Sequence, residues 1–134
     1  MTDSHGNDAA GPTEGAAEDG AATRERLAAA RADTSAQIAA LSRDYDAMVE
    51  ANALVAVDDE HDPEGSSTAF ERAHTGSLLA QAREQLTALD RAVERLEQGG
   101  YGRCEVCGEP IPAERLQVLP AVTTCVRCAA ARTR

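Results

Sequence analysis

The sequence predicts a mainly α-helical chain: a long antiparallel helical hairpin of the coiled-coil kind, followed by a compact four-cysteine finger with a short terminal helix. Three observations predict it. Two long segments carry apolar or small residues at steps of three and four, the spacing that lines one face of a helix. A short acidic break containing Pro63 and Gly65 separates them. All the cysteines then fall in one stretch near the C-terminus, as Cys104-x2-Cys107 and Cys125-x2-Cys128. By this reading the chain divides into a tail over 1–22, a hairpin over 23–98 with its turn at 58–65, and a finger over 99–134.

The first 22 residues are rich in Gly, Ala, Asp and Glu and contain no arginine or lysine. Such a composition offers little apolar surface to offset the entropy of ordering, and predicts a disordered acidic tail. There is no basic n-region and no apolar run, so it does not read as a signal peptide.

The first helix is expected to start near Thr23, a suitable N-cap, with Glu25 in the first turn. Its seam reads Leu27, Thr34, Ile38, Leu41, Tyr45, Met48, Asn52, Val55. No proline or glycine interrupts 21–57, enough for a helix on the order of 50 Å. Asp58, Asp59, Glu60, Asp62 and Glu64 then crowd one loop. Pro63 disfavours helix at Asp62. Thr68 and Glu71 fit a capping box for the second helix. The seam of that helix is Thr75, Leu79, Ala82, Leu86, Leu89, Val93, Leu96, and Gly99-Gly100 should end it. Matched helices joined by a short break predict antiparallel pairing within one chain. The acidic turn would then lie roughly 45 Å from the finger.

Two C-x2-C turns supply four sulfurs, the ligand number of a closed tetrahedral Zn²⁺ site. Cys104, Cys107, Cys125 and Cys128 are therefore the expected ligands of one structural zinc. Four thiolates leave no open position for substrate, which argues against a catalytic metal. From Gly99 onward only 36 residues remain, too few to fold on a hydrophobic core alone. Val106, Ile111, Leu116, Val118, Leu119, Val122 and Val126 are the candidate core. Nothing suggests an oxidising compartment, so a cytoplasmic protein with reduced thiols is expected.

The formal net charge is −10. Binding to bare nucleic acid needs a basic footprint, so no direct sequence-specific DNA binding is expected. No apolar run is long enough to span a membrane. The five carboxylates at the turn repel one another; a solvated loop is one reading, and a probe aimed at a divalent cation or at arginines is the other.

The stretch Tyr101-Gly-x-Cys104-x2-Cys107-Gly-x-Pro-Ile111, then Arg115-Leu116, Pro120 and Cys125-x2-Cys128, resembles the signature of the DksA/TraR zinc-finger family. The preceding acidic-tipped hairpin extends the resemblance to about residues 24–134. The resemblance implies a non-enzymatic transcription regulator that binds bacterial RNA polymerase. Its hairpin would enter the secondary channel, with the tip carboxylates Asp58, Asp59, Asp62 and Glu64 facing the active site, and modulate initiation, often together with ppGpp at the polymerase interface. The family tip motif D-x-x-D-x-A is met as Asp59-x-x-Asp62-x-Glu64, with glutamate in place of alanine. Two other readings stay open: a Gre-like transcript-cleavage factor whose tip carboxylates hold a second Mg²⁺, and a zinc-stabilised nucleic-acid-binding or adaptor module.

Overall fold

A computed structural model describes residues 4–55 and 63–132, with side chains over 20–54 and 67–132. Four helices follow one another: α1 Ser4–Val55, α2 Pro63–Gln98, α3 Ala113–Val118 and α4 Val126–Arg132. Among the described residues no helix is long and apolar enough to cross a membrane.

The helices begin earlier than expected. The backbone of 4–22, expected as a disordered tail, continues α1. Ala9, Ala10, Ala16, Ala17, Ala21 and Ala22 favour helix there, while Gly6, Gly11, Pro12, Gly15 and Gly20 oppose it. α2 starts at Pro63, not at the Thr68 capping box, so residues 63–65 of the expected turn are helical. Proline suits a first helical position, where its missing N–H has no partner to lose. Residues 58–62 of the turn lie outside the described residues.

The chain forms two compact units, one of Met1–Ala30 with Ala88–Arg134, the other of Arg31–Thr87. In the first, Leu27 of α1 packs on Leu89 and Ala92 of α2, all three fully buried. In the second, Tyr45 of α1 lies against Gly76 of α2. Later positions on α1 meet earlier positions on α2, which makes the pair antiparallel. The expected seam positions whose side chains are described are buried or half-buried: Thr34, Thr75, Leu79 and Ala82 are buried, and Ile38, Leu41, Tyr45, Met48, Leu86 and Val93 are half-buried; the side chain of Val55 lies outside the described residues. A Cβ at Gly76 would stand 3.2 Å from Tyr45 Cε2, so the glycine makes room for the ring.

α2 ends in a Schellman motif. Gly100 N–H donates to the Arg95 carbonyl (2.8 Å) and Gly99 N–H to that of Leu96 (3.2 Å). Gly99 takes φ +85°, a left-handed conformation in which a side chain would be strained.

Candidate metal centre and acidic tip

The first cysteine pair sits on a tight turn. Cys104 N–H donates to the Glu109 carbonyl (2.8 Å), and Gly108 N–H returns a bond to the Cys104 carbonyl (2.9 Å). Gly108 closes this turn at φ +78°. Ile111 N–H reaches the Gly102 carbonyl (2.7 Å), and Arg103 pairs with Pro110 in an isolated antiparallel bridge. Cys125 precedes α4, and its carbonyl accepts from Ala129 N–H (2.9 Å). Glu105 N–H donates to the Thr123 carbonyl (2.8 Å), joining the two cysteine turns. Arg115 of α3 donates through Nε to the Thr124 carbonyl (3.0 Å).

These bonds bring the ligand sulfurs of Cys104, Cys107, Cys125 and Cys128 within 4.8 Å of one another. Cys107 Sγ and Cys125 Sγ are 3.8 Å apart. A disulfide would need about 2.05 Å. A tetrahedron with Zn–S bonds of about 2.3 Å has edges of about 3.8 Å. The spacing and the all-thiolate donor set both fit one structural zinc, held by the four predicted residues.

The charges around the sulfurs favour a dication. Without metal, the Cys107 N–H pulls the Cys104 thiol down to about 6, against burial, with help from the N–H groups of Cys125 and Val106. The Cys128 N–H lowers Cys125 in the same way. Cys128 is pushed up to about 12, first by its hydrogen bond to the Cys125 sulfur, then by burial and by the neighbouring sulfurs. The cluster thus favours a thiolate at Cys104 and at Cys125 and opposes one at Cys128 until a cation arrives. Arg127 is raised, chiefly by a hydrogen bond to Cys107 and then by the charges of Cys107, Cys125 and Cys128. It adds one positive charge beside a zinc–tetrathiolate unit of net charge −2. In the sequence it lies between two of the ligands, Cys125 and Cys128.

Cys104, Ile111 and Cys125 are the buried centre of the finger, with Leu116, Val122 and Cys128 packed against it. Four of the expected core residues are not there. Val106, Val118, Leu119 and Val126 are 57%, 77%, 47% and 61% exposed. With the sulfurs at the centre, little apolar surface needs to be turned inward.

Tyr101 ties the finger to the helices. Its ring joins Ala121 against the Leu27–Leu89–Ala92 cluster, and its hydroxyl donates to the Pro120 carbonyl (2.8 Å). Burial raises its pKa, while Arg26 and Arg95 pull it down.

Comparison with known proteins begins at the finger. Residues 99–134 match the prokaryotic dksA/traR C4-type zinc finger. The TraR protein of Escherichia coli is 37% identical over 51 residues, 37% of this chain and 70% of TraR. The chain belongs to the DksA/TraR family. The RNA polymerase-binding transcription factor DksA of Caulobacter vibrioides is 43% identical over 44 residues, 33% of this chain and 31% of that protein. The chain spans only about a third of the length of the first curated relatives it matches. In fold it is similar to the transcription factor DksA2 of Pseudomonas aeruginosa, with a TM-score of 0.68 and 24% identity over 85% of this chain and 82% of DksA2.

Of the tip carboxylates predicted by sequence, Asp58, Asp59 and Asp62 lie outside the described residues. Glu64 lies in the first turn of α2, and its side chain is outside them too.

Proposed function

We propose that this protein is a non-enzymatic transcription regulator that binds RNA polymerase and acts through the acidic turn between α1 and α2. The observation that carries the reading is a four-thiolate finger fastened by Tyr101 to the bases of two antiparallel helices. The DksA2 fold and the polymerase-binding DksA of Caulobacter support it. Asp58, Asp59, Asp62 and Glu64 would enter the secondary channel and face the polymerase active site. There they act on the bound divalent cation or on arginines around it, modulating initiation. The setting is cytoplasmic, and ppGpp is the small molecule to add as a second partner at the polymerase interface. The net charge of −10 opposes binding to bare DNA.

The test is run-off transcription with purified polymerase from a stringent-type promoter, with and without the protein and ppGpp. The wild type should change product yield. Replacing Asp59 and Asp62 by Asn should remove most of that change and leave zinc content and helicity intact. Equal activity of the variant and the wild type would rule out the tip mechanism. Stimulated cleavage in backtracked complexes would indicate a Gre-like action instead.

A further inference from the structure

We infer that Arg115 is a positioning residue for the zinc ligands: its side chain holds the segment that enters the second cysteine pair, and so sets how tightly the four sulfurs take up the metal. This role concerns the metal site alone and does not depend on the polymerase reading.

Arg115 and Leu116 lie between the cysteine pairs, and neither is a ligand. Leu116 packs against the Cys104–Ile111–Cys125 centre. Arg115 acts through hydrogen bonds. Its N–H donates to the Pro112 carbonyl (3.0 Å), and its own carbonyl accepts from Leu119 N–H (2.7 Å). The backbone that carries the guanidinium is therefore pinned on both sides. Nε then donates to the Thr124 carbonyl at 3.0 Å. Thr124 is buried and directly precedes Cys125.

The two cysteine pairs differ in what holds them. Cys104 sits in a turn closed by its own bonds to Gly108 and Glu109. The approach to Cys125 is gripped from outside. The Thr123 carbonyl accepts from Glu105 N–H (2.8 Å), and the next carbonyl, that of Thr124, accepts from Arg115. One bond ties the segment to the first cysteine turn, the other to α3. The Glu105 carboxylate adds bonds of 3.2 Å to Thr123 and to Arg132. That ion pair is at least half exposed on both sides, where such pairs contribute little. Arg115 is half-buried, and a charged donor on the carbonyl of a buried residue makes the stronger kind of bond. The four sulfurs lie within 4.8 Å of one another. With Thr124 released, Cys125 and Cys128 would have to be ordered by the metal itself, at a cost in affinity.

The experiment measures the zinc affinity of the full-length protein by competition with a chromophoric chelator, and the visible spectrum of Co²⁺ bound in place of zinc. Arg115→Met keeps the stem and a good helix former but removes the donor. It should weaken zinc binding roughly ten- to a hundredfold, the usual effect of losing a partner that orients a metal ligand. Arg115→Lys keeps the charge on a flexible stem without the fixed Nε–H, and should recover only part of the loss. Arg132→Met, the control, removes the other arginine that reaches across the finger and should cost no more than about fivefold. At saturating cobalt Arg115→Lys should keep the charge-transfer band of four thiolates. Wild-type zinc affinity in either Arg115 variant, or a loss no larger than that of Arg132→Met, overturns the inference. Loss of the four-thiolate band in Arg115→Lys overturns it as well, because a ligand and not its placement would then be missing. Each of these results leaves the polymerase reading standing.

Discussion

The finger and the helix pair are held together by different means. In the helix pair, the buried positions recur along each helix: Thr23, Leu27 and Thr34 on α1, and Thr75, Leu79, Ala82, Leu89 and Ala92 on α2. In the finger, the buried residues are Cys104, Ile111, Thr124 and Cys125, of which only Ile111 is an aliphatic residue. Burial of side chains holds the first; coordination must hold the second. Four exposed apolar residues on the finger show the same thing from outside, because a metal at the centre relaxes the demand that hydrophobic residues face inward.

The largest expected effect breaks one region and spares the other. Zinc binding supplies about 10–16 kcal/mol in small finger peptides, against a whole-domain net stability of about 5–15 kcal/mol. Chelation, Cys104→Ser or Cys125→Ser should therefore unfold residues 101–132 while most helical circular dichroism survives. Rapid proteolysis confined to the finger would show it. If the finger stayed protected without metal, the contrast would collapse.

Proton release sharpens the same point. Cysteines in an unfolded finger are protonated at pH 7, because their ordinary pKa is about 8.5. Zinc uptake at pH 7 should then release close to one proton per cysteine, and affinity should fall as the pH drops. The folded turn holds Cys104 at about 6, below the pH of the assay. A count nearer three than four in a dye-based titration would mean that the first turn persists without metal.

Leu89→Ala attacks the other region. Truncating a fully buried leucine costs about 2–5 kcal/mol, so the thermal midpoint of the helices should fall clearly. Zinc content measured by metal analysis should not change. Loss of zinc in this variant would mean that the regions depend on one another more than their interiors suggest.

Two glycines give the smallest effects and differ in cause. At Gly108 (φ +78°) nothing lies within 4 Å of an added Cβ, so Gly108→Ala tests backbone conformation alone. It should destabilise the finger by about 1–2 kcal/mol. At Gly76, alanine gains about 1 kcal/mol of helix propensity but meets Tyr45 at 3.2 Å. Tyr45 is half-buried and has room to shift, so the thermal midpoint should move little in either direction.

Much of this was legible in the sequence because periodic burial leaves a periodic signal. Leu27, Thr34, Thr75, Leu79, Ala82 and Leu89 were readable from their spacing alone, and the ligands from the C-x2-C pairs. Ala92 was missed although it is fully buried. An alanine carries too little hydrophobicity to stand out, and only its place three residues after Leu89 marks it. Val106, Val118, Leu119 and Val126 were misread because hydrophobicity stops reporting burial once a metal occupies the centre. The role of Tyr101 was hidden for another reason: its partners, Pro120 and the Leu27 cluster, are distant in sequence, and no local pattern records them.

That tyrosine has a mechanical meaning. Gly99 and Gly100, left to themselves, would make a free swivel between α2 and the finger. The aromatic ring, packed against the Leu27–Leu89–Ala92 cluster and latched at Pro120, locks the swivel. Whatever grips the finger therefore also fixes the heading of the helix ends packed beside it.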